Sequence, residues 1–228
     1  HHGEYVLNDI VKRLDICVRF WHEGNSLNFV DNIELLPDYK GYLQNLNLTY
    51  AVRDGIACHC GEVNEKVLKP RDEFCNLADI QYASHVMPFT YEGCVVKLSD
   101  TIAYLDRDIE DAMIYKILSD NQLKEIQHII QKAFPNEKIE EICPKILSYY
   151  FIRDLCSNSS VEEGLKLSDN AFDMMRLIKE YNTENICGHK RLQPFKKYAT
   201  LVLETIFEKL DSYFGDDILR ALNSERRL

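Results

Sequence analysis

An all-α fold is expected from three features of the sequence. Gly (9) and Pro (6) are scarce among 228 residues, about half their usual combined share of roughly 12%, and both disrupt helices. Apolar residues recur at spacings of three and four along most of the chain. Helix-capping residues stand before these periodic runs, and Gly or Pro stands after several of them.

The elements follow in order. In residues 4–20, Leu7, Ile10, Val11, Leu14, Cys17 and Val18 form one helical stripe. Asn25-Ser26 predicts the cap of a short helix through Val30. Asn47 or Thr49 starts a helix to about Cys60, stopped by Gly61. Residues 62–90 carry charge clusters, Pro70 and Pro88, and no sustained period. They are expected to form a long surface excursion with short helical turns, and excursions of this length inside a domain are often functional. Thr90 to about Leu118 is the longest expected helix. Residues 121–134 form another, ended by Pro135. Residues 138–156 form a third, with Pro144 near its first turn. Residues 157–160 (SNSS) are a loop. Ser168 caps a helix to 181, residues 193–213 form the last long helix, and 215–223 a short tail helix. With no repeat or inter-domain linker, one helical domain is expected over 1–228. Residues 1–118 would be a core interrupted by the excursion, and 119–228 a C-terminal helical part.

Composition excludes several classes. Twenty-seven Lys plus Arg against 37 Asp plus Glu leave a net charge of −10, which opposes general nucleic-acid binding. The basic pair Arg226-Arg227 is expected to be a solvated tail. No segment approaches the ~20 apolar residues of a membrane span, and HHGEYVLNDI is not a signal peptide. The eight Cys include no C-x-x-C pair, and most sit in apolar runs. They are expected to be reduced core thiols of a cytoplasmic protein. The chain opens at His1-His2 without Met, as a tag remnant would, or a chain that begins inside a longer protein.

The chemistry concentrates in residues 90–112. Asp100, Tyr104 and Asp108 are spaced i, i+4, i+8 and lie along one helix face. Val95, Val96, Leu98, Ile102, Ala103, Leu105, Ile109 and Ala112 fill much of the remaining circumference, so the helix is expected to be buried nearly all round. Buried carboxylates need partners: either Lys97, Arg107 and other side chains neutralise Asp100 and Asp108, or a cation does. His1 and Glu4, at i and i+3, can face the same way as an acid–base pair. Cys58-His59-Cys60 invites a zinc reading, but neighbours on a helix point about 100° apart and do not converge on one ion. His22 is as easily a packed or capping histidine as a ligand. No Gly-rich phosphate loop or H-E-x-x-H is present.

Several of these stretches resemble bacterial deoxyguanosine triphosphate triphosphohydrolase-like proteins, which are HD-domain phosphohydrolases. They are 45–49 (NLNLT), Val52 to Ile56 with His59, Glu92 to Val96, and Asp100-x-Ile102-Ala103-Tyr104-x-x-x-Asp108-Ile109-x-Asp111-Ala112. The opening His1-His2-Gly3-Glu4 resembles the family's F-G-H-x-G-E stretch entered at its His. Residues 20–27 (FWHEGNSL) resemble F-x-H-N-x-Q-S-L, departing at Glu23 and Asn25. Asp154 to Cys156, Asn158 to Ser160, and Tyr181-Asn182 to Ile186 resemble its C-terminal helical part.

The resemblance implies an HD-type helical bundle that is N-terminally incomplete, because the family's other three metal ligands, a His and a His-Asp pair, lie upstream of the F-G-H stretch. It implies that Asp100 is a ligand to a divalent ion such as Mg or Mn. It further implies that Tyr104 and Asp108 hold the deoxyribose, Asp108 through the 3′-hydroxyl, and that His1 and Glu4 are catalytic. The expected reaction is metal-dependent hydrolysis of a deoxynucleoside triphosphate to deoxynucleoside and triphosphate, by a homo-oligomer. The chain as it stands is then expected to be inactive. A non-catalytic nucleotide-binding or assembly module, and an HD phosphohydrolase of another nucleotide phosphoester, are the alternatives.

Overall fold

The computed structural model describes residues 2–14, 19–60, 65–80, 86–143 and 145–214. The expected all-α class holds: the described residues form eight α-helices, with two small two-stranded sheets. The chain divides into two compact units, one of residues 1–25 with 190–228, the other of residues 26–189.

In the first unit, α1 (His2–Arg13) lies along α8 (Gln193–Phe214). The His2 imidazole Nε2 is 2.9 Å from the Lys196 carbonyl and 3.1 Å from Thr200 Oγ1. At the other end of α1, Arg13 pairs with Glu204 at 2.6 Å. The expected helix over 4–20 is shorter than its periodicity, and its buried residues are Val6 and Ile10. Asn8 explains part of this. Its side chain binds both backbone groups of Phe20 (2.7 and 2.9 Å), which anchors the returning chain beside the helix. Cys17 and Val18 of the expected stripe lie outside the described residues, as do Gly61, Pro144 and the expected tail helix. Along α8, Phe195, Tyr198, Leu201, Ile206 and Tyr213 are exposed.

The second unit is built around α4 (Tyr91–Ile114). Its buried residues Cys94, Leu98, Ile102, Leu105, Ile109 and Ala112 keep the three-and-four spacing of a core-facing stripe. α3 (Tyr50–Cys58), α6 (Ile146–Asn158) and α7 (Asp169–Asn182) pack on α4, and α5 (Asp120–Ala133) packs on α7. Buried polar groups bond across these helix pairs. Asp106 accepts from the Ser148 hydroxyl (2.6 Å) and backbone N–H (3.2 Å). Asn182 donates to the Leu105 carbonyl at 3.0 Å. Asp154 accepts the Ser168 N–H at 2.9 Å, just where α7 begins.

The helix ends follow local chemistry. Thr90 caps α4 by accepting the Gly93 N–H at 3.1 Å. Ser119 and Gln122 form a capping box on α5. α4 stops before the expected Leu118 because Lys116 turns left-handed (φ 51°). Ile117 N–H then reaches the Ala112 carbonyl (2.8 Å) and Lys116 N–H the Met113 carbonyl (3.1 Å), a Schellman closure. The helix expected from 138 begins only at Ile146, preceded by left-handed Lys145 (φ 66°). Proline lacks the N–H that a continuous helix would need at 144. Carbonyls of 134–140 bond instead to side chains of α5: Gln131 reaches Phe134 and Glu137 (3.2 and 2.6 Å), and Gln127 reaches Glu140 (3.1 Å).

Two small antiparallel sheets escape the helical periodicity. β1 (Leu35–Pro37) pairs antiparallel with β2 (Leu43–Asn45), Leu36 opposite Gln44. β3 (Val67–Leu68) pairs with β4 (Leu165–Lys166) and joins the excursion to the chain after α6. Gly164 (φ +95°) permits this closure, since a Cβ there would stand 2.7 Å from the Leu68 carbonyl oxygen.

Candidate functional site

α4 presents a different surface on its side away from the core. Asp100 and Ala103 are exposed and Asp108 is half-buried, and Val95, Val96 and Tyr104 are 47, 50 and 38% exposed. The expectation of a helix buried nearly all round is therefore corrected. Successive buried positions advance by about one turn each and stay on one side, so residues 96, 100, 104 and 108 fall on the opposite side. Asp100 carries no burial penalty that would itself demand a cation. Arg107 pairs along its own helix with Glu110 and Asp111, each at 3.2 Å. Burial, and then the charge of Asp111, raises the Asp108 carboxyl above the ordinary aspartate value.

The chain leading to this face is fixed by two cations, one buried and one half-buried. Lys97 is buried on α4 and donates to the carbonyls of Cys58 (3.2 Å) and Cys60. A lysine that neighbours an acidic motif thus binds backbone carbonyls, fastening the end of α3 to α4. Arg71, in the excursion, pairs with Asp54 of α3, whose side chain is fully buried. The second Asp54 oxygen accepts the Phe89 N–H at 2.7 Å. Arg71 also donates to the Tyr50 hydroxyl (2.7 Å) and the Met87 carbonyl (2.6 Å), and Tyr50 donates to the Cys75 carbonyl (2.8 Å). The excursion is therefore organised around one guanidinium. Gly93 completes the anchoring, because a Cβ there would stand 2.6 Å from the Cβ of Pro88.

This tie alters the geometry expected for Cys58-His59-Cys60. The α-helix ends at Cys58, and His59 as its C-cap still keeps helical backbone angles (φ −68°, ψ −33°). Cys58 is buried, and burial pushes its thiol up to about 12. His59 and Cys60 turn together: His59 Nε2 lies 3.1 Å from Cys60 Sγ. Cys60 Sγ in turn lies 3.9 Å from Asp100 Oδ2. Among the described residues, Cys58 and Cys94 are buried, whereas Cys143, Cys156 and Cys187 are exposed. The expectation of core thiols thus fails for Cys143, Cys156 and Cys187; at Cys143 the flanking apolar residues did not decide its side.

In the first unit, Glu4 lies on α1 and its carboxylate is 3.0 Å from His22 Nδ1. Glu23, a buried carboxylate, is 3.2 Å from the same nitrogen. His22 is thus held between two acids, a role that its neighbouring aromatics had obscured. His1, the expected partner of Glu4, lies outside the described residues.

Comparison with known sequences agrees with the resemblance. The chain is similar to proteins named deoxyguanosinetriphosphate triphosphohydrolase-like. The Rickettsia typhi protein is 29% identical over 171 residues, covering 75% of this chain and 42% of the relative. That of Desulfatibacillum aliphaticivorans is 27% identical over 220 residues, covering 93% and 53%. That of Rickettsia bellii is 30% identical over 156 residues, covering 68% and 38%. The chain thus spans about two fifths to one half of the length of these relatives. No family model matches it.

Proposed function

We propose that the chain carries metal- and sugar-binding residues of a deoxynucleoside triphosphate triphosphohydrolase of the HD-domain kind. The observation that carries this reading is the open face of α4, on which Asp100, Tyr104 and Asp108 follow one another while the core-facing side secures the helix. One helical turn separates each from the next, about 6 Å along the axis, a spacing suited to an α-phosphate and its deoxyribose. Asp100 would hold a divalent ion. Such an ion supplies Lewis-acid polarisation of a phosphoryl oxygen and a water of lowered pKa. Tyr104 offers a ring against the sugar, and Asp108 a carboxylate that accepts from its 3′-hydroxyl. Glu4 serves as the carboxylate that orients an imidazole for proton transfer, His1 by resemblance, and its bond to His22 supports that role. The exposed apolar side chains of α8 support a homo-oligomer.

The test compares binding of dGTP and its 2′,3′-dideoxy analogue by calorimetry with Mn²⁺, alongside an assay for released triphosphate. The expected result is at least tenfold preference for dGTP, lost in Asp108→Ala, and abolition of any Mn²⁺-dependent hydrolysis in Asp100→Ala with helicity intact. Equal binding of both nucleotides by the native chain would refute the sugar assignment. Mn²⁺-dependent hydrolysis by the complete protein that survives Asp100→Ala would refute the ligand assignment.

A further inference from the structure

We propose that the groove between α5 and α7 binds a small monoanionic carboxylate with an apolar tail, of the fatty-acid class. The inference goes beyond the hydrolase reading and shares no residue with it.

Three observations carry it. First, the seam between the two helices is pinned at one end only. There the Tyr181 hydroxyl donates to the Glu125 carboxylate at 2.8 Å and lies 3.2 Å from the Gln122 carbonyl, and the Gln122 amide donates to Asn185 at 3.2 Å. Toward the end of α5 and the start of α7 the helices part into a groove of about 220 Å³. Among the described residues, no hydrogen bond joins the two sides of that groove.

Second, the groove has an apolar interior and a rim of donors. Ala133 and Met174 are buried beneath it, and Ile129 and Leu177 flank them, half-buried. Lys132 of α5 and Asn170 and Arg176 of α7 stand at the rim. Neither Lys132 nor Asn170 makes a side-chain hydrogen bond or ion pair with a described residue. Arg176 lies 3.8 Å from Asp173 and 3.6 Å from Glu180, beyond the ~2.7–3.2 Å of an N–H···O bond. Its planar fork can therefore take a carboxylate through two parallel bonds, with Lys132 as a second charge. An apolar cavity with a few convergent polar groups is the usual anatomy of a small-ligand site.

Third, charge and size limit the ligand. Asp173 also lines the groove, so two cations stand against one anion there. That balance suits a single negative charge and opposes a phosphate dianion. The volume falls below the ~300–1,000 Å³ of sites for drug-sized molecules, which excludes a nucleotide. At a water's share of about 30 Å³ it takes roughly seven such groups, close to a six-carbon carboxylate. Met174 lets the floor adjust to the chain, because an unbranched thioether repacks easily.

Titration of the purified full chain with sodium hexanoate, followed by amide proton–nitrogen NMR, tests the site. The native chain is expected to bind with a Kd on the order of 1 mM, with shifts concentrated in residues 129–133 and 170–177. 1-Hexanol and hexyl phosphate should each bind at least about fivefold more weakly, the first for want of a charge-assisted bond. Lys132→Gln and Arg176→Gln should each weaken hexanoate binding about threefold or more. Lys40→Gln, on the turn between β1 and β2, should leave it unchanged. Both rim cations are exposed, so their variants are expected to fold, which far-ultraviolet circular dichroism checks. An absence of shifts in those two segments, equal binding of 1-hexanol, tighter binding of hexyl phosphate, or an affinity indifferent to both Lys132→Gln and Arg176→Gln would each overturn the site. None of these readouts involves dGTP or Mn²⁺, so failure of this site and failure of the hydrolase reading are separate results.

Discussion

Arg71 and Asp54 are joined as an ion pair in which the carboxylate is wholly removed from solvent. Burial works against the Arg71 charge, and the bond to Asp54 together with its Coulomb attraction outweighs it, raising the guanidinium above its ordinary value. Removing one partner leaves the other charged and unpaired in the interior, which typically costs about 3–5 kcal/mol. Arg71→Met is therefore expected to lower the unfolding free energy of the second unit, read from urea denaturation, by an amount in that range. It should also open residues 65–90 to limited proteolysis, because Tyr50, Met87 and Phe89 lose their shared anchor. Asp54→Leu combined with Arg71→Met should recover part of the loss.

Asp108 gives a pH signature with a definite sign. Its folded pKa is raised above the ordinary aspartate value of 3.8, first by burial and then by Asp111. The native state therefore holds its proton more tightly than the unfolded chain. Stability from this group is full below 3.8 and is lost as pH rises through the raised folded value. Asp108→Asn is expected to melt higher than the native protein at neutral pH, with the gap closing as the solution is acidified below the ordinary aspartate range. A constant gap across pH would show that the carboxyl does not titrate differently in the two states. The same variant should weaken deoxynucleotide binding, so stability and function would move in opposite directions.

The thiols should separate by reactivity. Burial pushes Cys58 up to about 12 and Cys94 up to about 11, and only the thiolate attacks an alkylating reagent. In a timed iodoacetamide experiment read by peptide mass spectrometry, Cys143, Cys156 and Cys187 should be modified in the native protein. Cys58 and Cys94 should react only after denaturation. Early labelling of Cys94 would mean that the α4 core opens far more readily than its packing implies.

The helical class and most helix positions were legible because the apolar period of three to four directly encodes a buried stripe. Thr90, Ser119 and Ser168 mark helix starts through short-range bonds that a sequence shows. The end of α4 was not legible, since it depends on Lys116 entering a conformation that carries no compositional signal. Asp100, Tyr104 and Asp108 could be placed on one face from spacing alone. Whether that face was buried could not, because Val95 and Val96 read as core residues until the packing of the other helices is known. Arg71 was missed for a similar reason: its partner Asp54 is seventeen positions away, and no periodic rule spans an irregular segment. The closeness of His59 Nε2 to Cys60 Sγ (3.1 Å) was not legible, since neighbouring side chains near a helix end are expected to diverge.

The Schellman closure and the buried stripe of α4 bear on exchange with solvent hydrogen. A helix with one side in the core and both ends closed releases its amides mainly through the larger, cooperative openings of its unit. Asp100, Tyr104 and Asp108 thus project from a backbone expected to be among the slowest to exchange, although their own side chains meet water or are only half-covered. Substitutions on that face can be chosen for chemistry with little penalty in protection, and deuterium uptake along α4 would report directly on whether a variant has changed the site or the scaffold beneath it.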